Sequence, residues 1–236
     1  MRTGPPLLVE LMGQPGAGKS TLARAAAAGS DLLTRADLGA AWQGLSIRRK
    51  GSFVRQAVLD VACLTHAGKL AIRAPLLHGG SLFRLANLVA KSHWIRSQSG
   101  PLLLSEGCLQ DLWSIFYSAG KLEPDPPMLA PLIRCLYRGV SARIVLLDAD
   151  PQTAFGRIRG RANGRSRFDR LEEADLHPRL LETAQLPLRI AEGARLAGLA
   201  VETLDVSQPL EASVTRLRAI LTKPDAGADR QGAVRA

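Results

Sequence analysis

Leu7-Leu8-Val9-Glu10-Leu11-Met12-Gly13-Gln14-Pro15-Gly16-Ala17-Gly18-Lys19-Ser20-Thr21 decides the fold. An apolar run of strand length leads directly into G-x-x-x-x-G-K-[ST]. An alanine-rich segment of high helix propensity, Leu22 to Ala28, then runs to Gly29. Strand, glycine turn and helix in that order make a phosphate-binding loop. Gly13, Gly16 and Gly18 let the backbone curl, with Gln14, Pro15 and Ala17 between them, so that successive N–H groups converge on phosphate oxygens at the positive end of a helix. Lys19 reaches the β- and γ-phosphates as a mobile point charge, and the Ser20 hydroxyl is the expected Mg2+ ligand. Thr21 points more weakly toward the α-phosphate. A nucleoside triphosphate is the expected ligand.

Outward from this loop, apolar runs alternate with helical patterns. A short strand is expected at Asp31 to Thr34. Helical spacing then fills Arg48 to Ser99, through Val54, Val58, Val61 and Leu64 and again through Leu82, Leu85, Leu88 and Val89, with Gly79-Gly80 breaking it. Gly100-Pro101 precedes a buried strand at Leu102 to Ser105, which ends at Glu106-Gly107. Helices follow around Leu112 to Tyr117 and, past Pro124, Pro126 and Pro127, around Met128 to Tyr137. Trp113, Phe116 and Tyr117 read as core packing. After the strand Ile144 to Leu147, Asp150 is a good N-cap and Pro151 a good first helical residue. That helix is expected to run to about Gly164, placing Arg157 and Arg161 on one face. A long helix to Ala197, a last strand from Ala200 to Leu204, a polar turn at Asp205-Val206-Ser207-Gln208 and a helix through Leu210, Val214, Leu217 and Ile220 complete the chain. The expectation is an α/β, three-layer P-loop NTPase fold in one domain over 1–222. An open parallel five-stranded sheet carries helices on both faces, with a helical acceptor-binding region at 35–99, a lid at 157–172 and a disordered tail at 223–236.

Composition narrows the alternatives. With 236 residues, 46% of them hydrophobic, the chain can bury one full core. Residues 1 to 20 are taken up by the strand and loop, so no secretory signal is expected. The apolar stretches are interrupted well before membrane-spanning length, and a cytoplasmic protein is the simple reading. Cys63, Cys108 and Cys135 form no C-x-x-C pair and read as small hydrophobes, and His66, His78, His93 and His177 lack metal-ligand spacing. The formal charge of +10 invites a nucleic-acid reading, but only six of the 31 basic residues are lysines and the arginines are dispersed. A nucleic-acid partner is therefore not expected; a homodimer stays open.

Moving a phosphoryl group requires charge neutralisation, an aligned acceptor and exclusion of water. Arg157 and Arg161, followed by Gly164-Arg165-Ser166-Arg167, suit a lid that closes over the transfer. Glu106, at the carboxyl end of a parallel strand, sits where ligands bind in such sheets. It could take the acceptor's proton, orient a Mg2+-bound water, or cap structure. Arg35 and Asp37 are weaker acceptor-side candidates, and Asp148 is either a second metal-organising carboxylate or structural.

Asp148-Ala149-Asp150-Pro151, Arg157, Arg161 and Asp169-Arg170-Leu171-Glu172 resemble the lid region of thymidylate kinases, whose pattern runs D-x-x-P, R-x-x-x-R and D-R-x-E. Glu202 to Pro209 is similar to that family's last strand and adenine-contacting turn, and Leu33-Thr34-Arg35 to its second strand. The resemblance implies a nucleotide-kinase-like fold with Mg-ATP as donor, Arg157 and Arg161 on the transferring phosphates, and Asp205 to Gln208, Ser207 included, along the adenine. The acceptor side departs. Glu106-Gly107 stands where the family has Asp-Arg, and Ala36-Asp37-Leu38 replaces an E-P-G segment. An ATP-dependent phosphotransferase acting on a divergent small acceptor, a nucleoside or nucleotide, is the leading expectation. The alternatives are a kinase of a non-nucleotide alcohol such as a sugar or antibiotic, and an NTPase switch with a nucleic-acid or protein partner.

Overall fold

Five parallel strands, β1 (Leu7–Met12), β2 (Leu33–Thr34), β3 (Leu102–Leu104), β4 (Ser141–Asp148) and β5 (Ala200–Asp205), stand in the order β2-β3-β1-β4-β5. The computed structural model describes residues 7–76, 79–161 and 166–223. The expected tail beyond Lys223, Gly164 and Arg165 of the basic segment, and His78 lie outside them. The connecting helices are α1 (Lys19–Ala27), α2 (Arg35–Gly44), α3 (Ile47–Leu59), α4 (Val61–Arg73), α5 (Gly79–Arg96), α6 (Cys108–Ser118), α7 (Pro126–Leu136), α8 (Pro151–Arg159), α9 (Glu173–Thr183), α10 (Gln185–Leu196) and α11 (Leu210–Thr222).

Strand alternation divides the core into two layers. Val9 and Leu11 of β1 face one way, with Leu103, Val145 and Leu147, and are covered by Leu22, Ala23 and Ala26 of α1 and by Leu217 and Ile220 of α11. Leu8 and Met12 face the other way, with Leu102, Leu104, Ile144 and Leu146, under the larger layer that includes α4, α5, α6, α7 and α10. The expected α/β architecture with helices on both faces is the observed one. Parallel register brings the carboxyl ends of all five strands to one edge, and the connections reverse direction at β1, the kind of position at which open α/β sheets bind ligands. No helix among the described residues is long and apolar enough to cross a membrane.

Several boundaries differ from the expectations. The stripe Val54, Val58 and Val61 is exposed, whereas Phe53, Ala57, Cys63 and Ala67 are buried. One continuous helix would have carried that stripe inward, but Asp60 ends α3 and caps α4, accepting from Cys63 N at 3.2 Å. Its buried carboxylate is also met by Arg138 Nη2 at 2.9 Å, His93 Nε2 at 3.2 Å and Arg96 Nη2 at 3.6 Å. Gly79-Gly80 opens α5 rather than lying in a break; α4 has already stopped ahead of Pro75, which cannot extend a helix. The long helix expected to Ala197 is two, since Pro187 offers no N–H to the Thr183 carbonyl and its ring crowds it. Pro126 and Pro127 occupy the first turn of α7, where proline is well tolerated, rather than preceding it. Asp150 caps α8 as expected, with Thr153 N donating to Oδ1 at 2.8 Å. That helix ends at Arg159, however, so Arg161 lies beyond it and does not share a helical face with Arg157.

Candidate active site

The loop between β1 and α1, the expected phosphate site, turns on Gly16 and Gly18, both left-handed at φ 86° and 87°. A Cβ at Gly16 would lie 2.5 Å from the Ala154 carbonyl oxygen, so close packing of the loop against α8 also requires glycine there. Gln14 Nε2 donates to the Ala149 carbonyl at 2.7 Å, tying the loop to the end of β4. Lys19 Nζ donates to the Gly13 and Gln14 carbonyls at 2.6 and 3.0 Å. Desolvation lowers its pKa to about 8, against the upward pull of Glu106 and with a further downward push from Arg161. Lys19, Glu106 and Arg161 thus share one electrostatic neighbourhood. Ser20 is exposed in the first turn of α1, and its hydroxyl is a hard oxygen donor of the kind that could join phosphate oxygens in holding Mg2+.

Beside the loop, Arg157 joins two segments. It donates to the Ala17 carbonyl at 3.4 Å and to the Val206 carbonyl at 2.6 Å. It thereby braces the turn that carries Asp205, Ser207 and Gln208, in which Asp205 accepts from Ser207 N at 2.8 Å. Asp148 lies at the strand edge and its carbonyl accepts from Val206 N at 3.0 Å. Arg161 approaches Asp169 at 3.7 Å, and Asp169 in turn accepts from Ser166 N at 2.8 Å.

Just past β3, Glu106 pairs with Arg35 at 2.8 Å. Both line a cavity of about 570 Å³, within the range of small-molecule sites. Trp42 and Trp94, edge-on to each other with centroids 5.5 Å apart, form part of its wall; Phe53 supports Trp94 at 5.2 Å. Asp37 is not part of this lining. Its carboxylate accepts from Thr34 N and Thr34 Oγ1, both at 2.7 Å, completing a capping box for α2. Lys91, from α5, donates to Asp111 at 2.7 Å and to the Glu106 and Gly107 carbonyls at 3.3 Å. Burial works against its charge, but Asp111 together with Cys108 and Glu10 outweighs it and holds the ammonium above its ordinary value. A cation therefore does stand beside position 107, although it comes from a different helix than the resemblance implies.

Glu10 was hidden inside the apolar run. Fully buried on β1, its Oε1 accepts from Leu109 N at 2.8 Å and Gln110 N at 3.1 Å, at the start of α6, while Oε2 accepts from the Tyr137 hydroxyl. Burial raises its pKa, so the folded chain holds this proton more tightly than the unfolded one. The associated stability is present in full at acid pH and is lost as pH rises through the raised value. Glu10→Gln can keep the geometry, its amide oxygen accepting both N–H groups and its NH2 donating to Tyr137. The variant should be at least as stable as the native chain at neutral pH and lack the native decline from acid to neutral; urea midpoints across pH test this, and parallel curves would refute it. A lone acid in an otherwise apolar strand was the available signal, because a buried carboxylate demands partners. Trp42, Trp94 and Lys91 gave none, since only folding gathers them.

No protein-family model matches the chain, and no curated protein matches it. Among solved structures, it is similar to deoxyadenosine kinase from M. mycoides with products dCMP and a flexible dCDP bound. The TM-score is 0.50 at 13% identity, with 91% of this chain and 97% of that chain covered. The same enzyme with bound dATP gives a TM-score of 0.50 at 13% identity, covering 91% and 99%. The likeness is one of fold: a five-stranded parallel sheet with helices on both sides, as in P-loop nucleoside kinases. These neighbours do not show a thymidylate kinase in particular.

Proposed function

We propose that the chain is an ATP-dependent phosphotransferase that moves the γ-phosphoryl group to a hydroxyl of a small, nucleoside-sized acceptor seated in the cavity. The supporting observation is Glu106, which lines the cavity and is electrostatically coupled to Lys19 of the phosphate loop. Gly13 to Thr21 hold the donor phosphates, with Ser20 on Mg2+, which supplies charge neutralisation when bound. Arg157 braces the turn at Asp205 to Gln208 along the donor base. Arg161, in a lid at 157–172, adds positive charge beside Lys19. Glu106, oriented by Arg35, accepts the proton of the reacting hydroxyl. Trp42 and Trp94 provide an aromatic wall against which a base or sugar face can pack. The fold neighbour's nucleotide ligands agree with this reading.

A screen of nucleosides, nucleotides and sugars for acceptor-dependent ADP formation tests it. With the acceptor so found, Glu106→Gln should lower transfer at least tenfold with little change in ATP affinity. Unchanged transfer would reduce Glu106 to a structural acid. Acceptor-independent turnover stimulated by DNA or RNA would replace the kinase reading with a switch.

A further inference from the structure

The far end of the same cavity carries charge that no carboxylate among the described residues neutralises. Arg84 of α5 and Arg167, which follows the proposed lid arginine Arg161, both donate to one oxygen, Ser118 Oγ, at 2.6 and 2.7 Å. Arg167 also donates to Ser114 Oγ at 2.9 Å. Among the described residues, neither guanidinium has a carboxylate within ion-pair distance. Their acceptors are neutral hydroxyls, the weaker kind of partner for a guanidinium.

Both arginines are exposed, but the Arg167 side chain is not simply spread into solvent. Arg167 lies over the Tyr117 ring at 4.8 Å, and Tyr117 is stacked on Trp113 with centroids 5.0 Å apart and planes 8° from parallel. Phe168, next in the chain, is buried against both rings. The aromatic platform fixes where Arg167 points, so two like charges meet over one oxygen at a preset position. Arg84 and Ser114 line the cavity, and Arg167 reaches its rim through Ser114.

Position along the helices sets the distance from the reaction. Lys91 touches the Glu106 carbonyl, and Arg84 lies seven residues earlier on the same helix, about 10 Å away along its axis. That exceeds the reach of the reacting hydroxyl's immediate neighbours and matches the length of a small acceptor.

We propose that Arg84 and Arg167, with Ser114 and Ser118, form an anion subsite that binds a phosphate or carboxylate at the end of the acceptor remote from the reacting hydroxyl. This rests on the phosphotransferase reading of the cavity, and it selects acidic acceptors over neutral nucleosides. An anion would replace the shared serine oxygen with charge-assisted, fork-like contacts and relieve the repulsion between the two guanidiniums.

The test uses the full chain with its donor site saturated by Mg-ADP, so that the phosphate loop does not compete. Inorganic phosphate and acetate are titrated against chloride at matched ionic strength, following tryptophan fluorescence and thermal stability. The native chain should bind phosphate or acetate, the stronger of the two naming the acidic group. Arg84→Met and Arg167→Met should each weaken that binding about tenfold or more, and Arg84→Met, which lies outside the lid, should leave Mg-ADP affinity unchanged. Absence of specific anion binding, or binding that neither substitution alters, overturns the subsite. Failure of Mg-ADP to bind at all would instead refute the phosphotransferase reading, and the subsite with it. Acceptor-dependent ADP formation with a neutral acceptor, undiminished in Arg84→Met, would leave the kinase standing and remove the subsite alone.

Discussion

Lys19→Ala is expected to lower acceptor-dependent ADP formation at least a hundredfold while leaving the fold intact. The native ammonium is held by two loop carbonyls at 2.6 and 3.0 Å and is penalised by desolvation strongly enough to bring its pKa to about 8. Such a charge contributes little to folding, because the burial cost opposes its two hydrogen bonds. Beside the polyphosphate of a donor the balance reverses, since an opposite charge in a partly dehydrated site favours the ionised form. A fixed cation that stabilises the charge of the transferring group is worth about 3 kcal/mol or more, which is roughly a hundredfold in rate. Circular dichroism and a thermal melt establish that the variant folds; the ADP assay reads the loss. A folded Lys19→Ala chain with native turnover would contradict the donor assignment for the entire loop.

The loop proposed as the donor half of this site was legible because it is local. Phosphate cradling needs glycines, a lysine and a hydroxyl at fixed spacing on one turn, so Gly13 to Thr21 carry their meaning without tertiary context. The strand at Leu7 to Met12 and the cap at Asp150 were readable for the same reason. The cavity proposed as the acceptor half is assembled from α2, α5 and the end of β3. Glu106 stood out at its strand end, but Trp42, Lys91 and Trp94 give no signal where they stand in the chain, and only the packed helices bring them to its cavity. The helical region also misled in a specific way. Val54, Val58 and Val61 keep helical spacing, yet Asp60 divides the helix and the inward face is made by Phe53, Ala57 and Cys63 instead. Periodicity locates a face; where a cap interrupts the helix, it cannot carry the phase across. The shared face expected of Arg157 and Arg161 failed similarly, because R-x-x-x-R implies one face only while the helix lasts, and α8 stops at Arg159.

Gly107→Ala should destabilise the chain by about 3–5 kcal/mol, and Glu10 should be the reason. A Cβ at position 107 would lie 2.1 Å from Glu10 Oε2 and 2.3 Å from Cδ, well inside contact distance. The carboxylate cannot swing aside cheaply. It accepts from Leu109 N, Gln110 N and the Tyr137 hydroxyl, and moving it would leave these buried donors unpaired. The space that a side chain at 107 would need is thus already occupied by an acid three residues upstream of the phosphate loop. This accounts physically for the departure from Asp-Arg to Glu106-Gly107: an arginine cannot follow Glu106 while Glu10 is in place, and the neighbouring cation is Lys91. A double-mutant cycle measured by urea denaturation tests the link. In a Glu10→Ala background, itself weakened by the orphaned donors, Gly107→Ala should cost less than about 1 kcal/mol, because the clash is gone. In a Glu10→Gln background it should keep its full cost, because the amide fills the same volume as the carboxylate. Equal costs in all three backgrounds would show that position 107 is restricted by its own backbone rather than by Glu10.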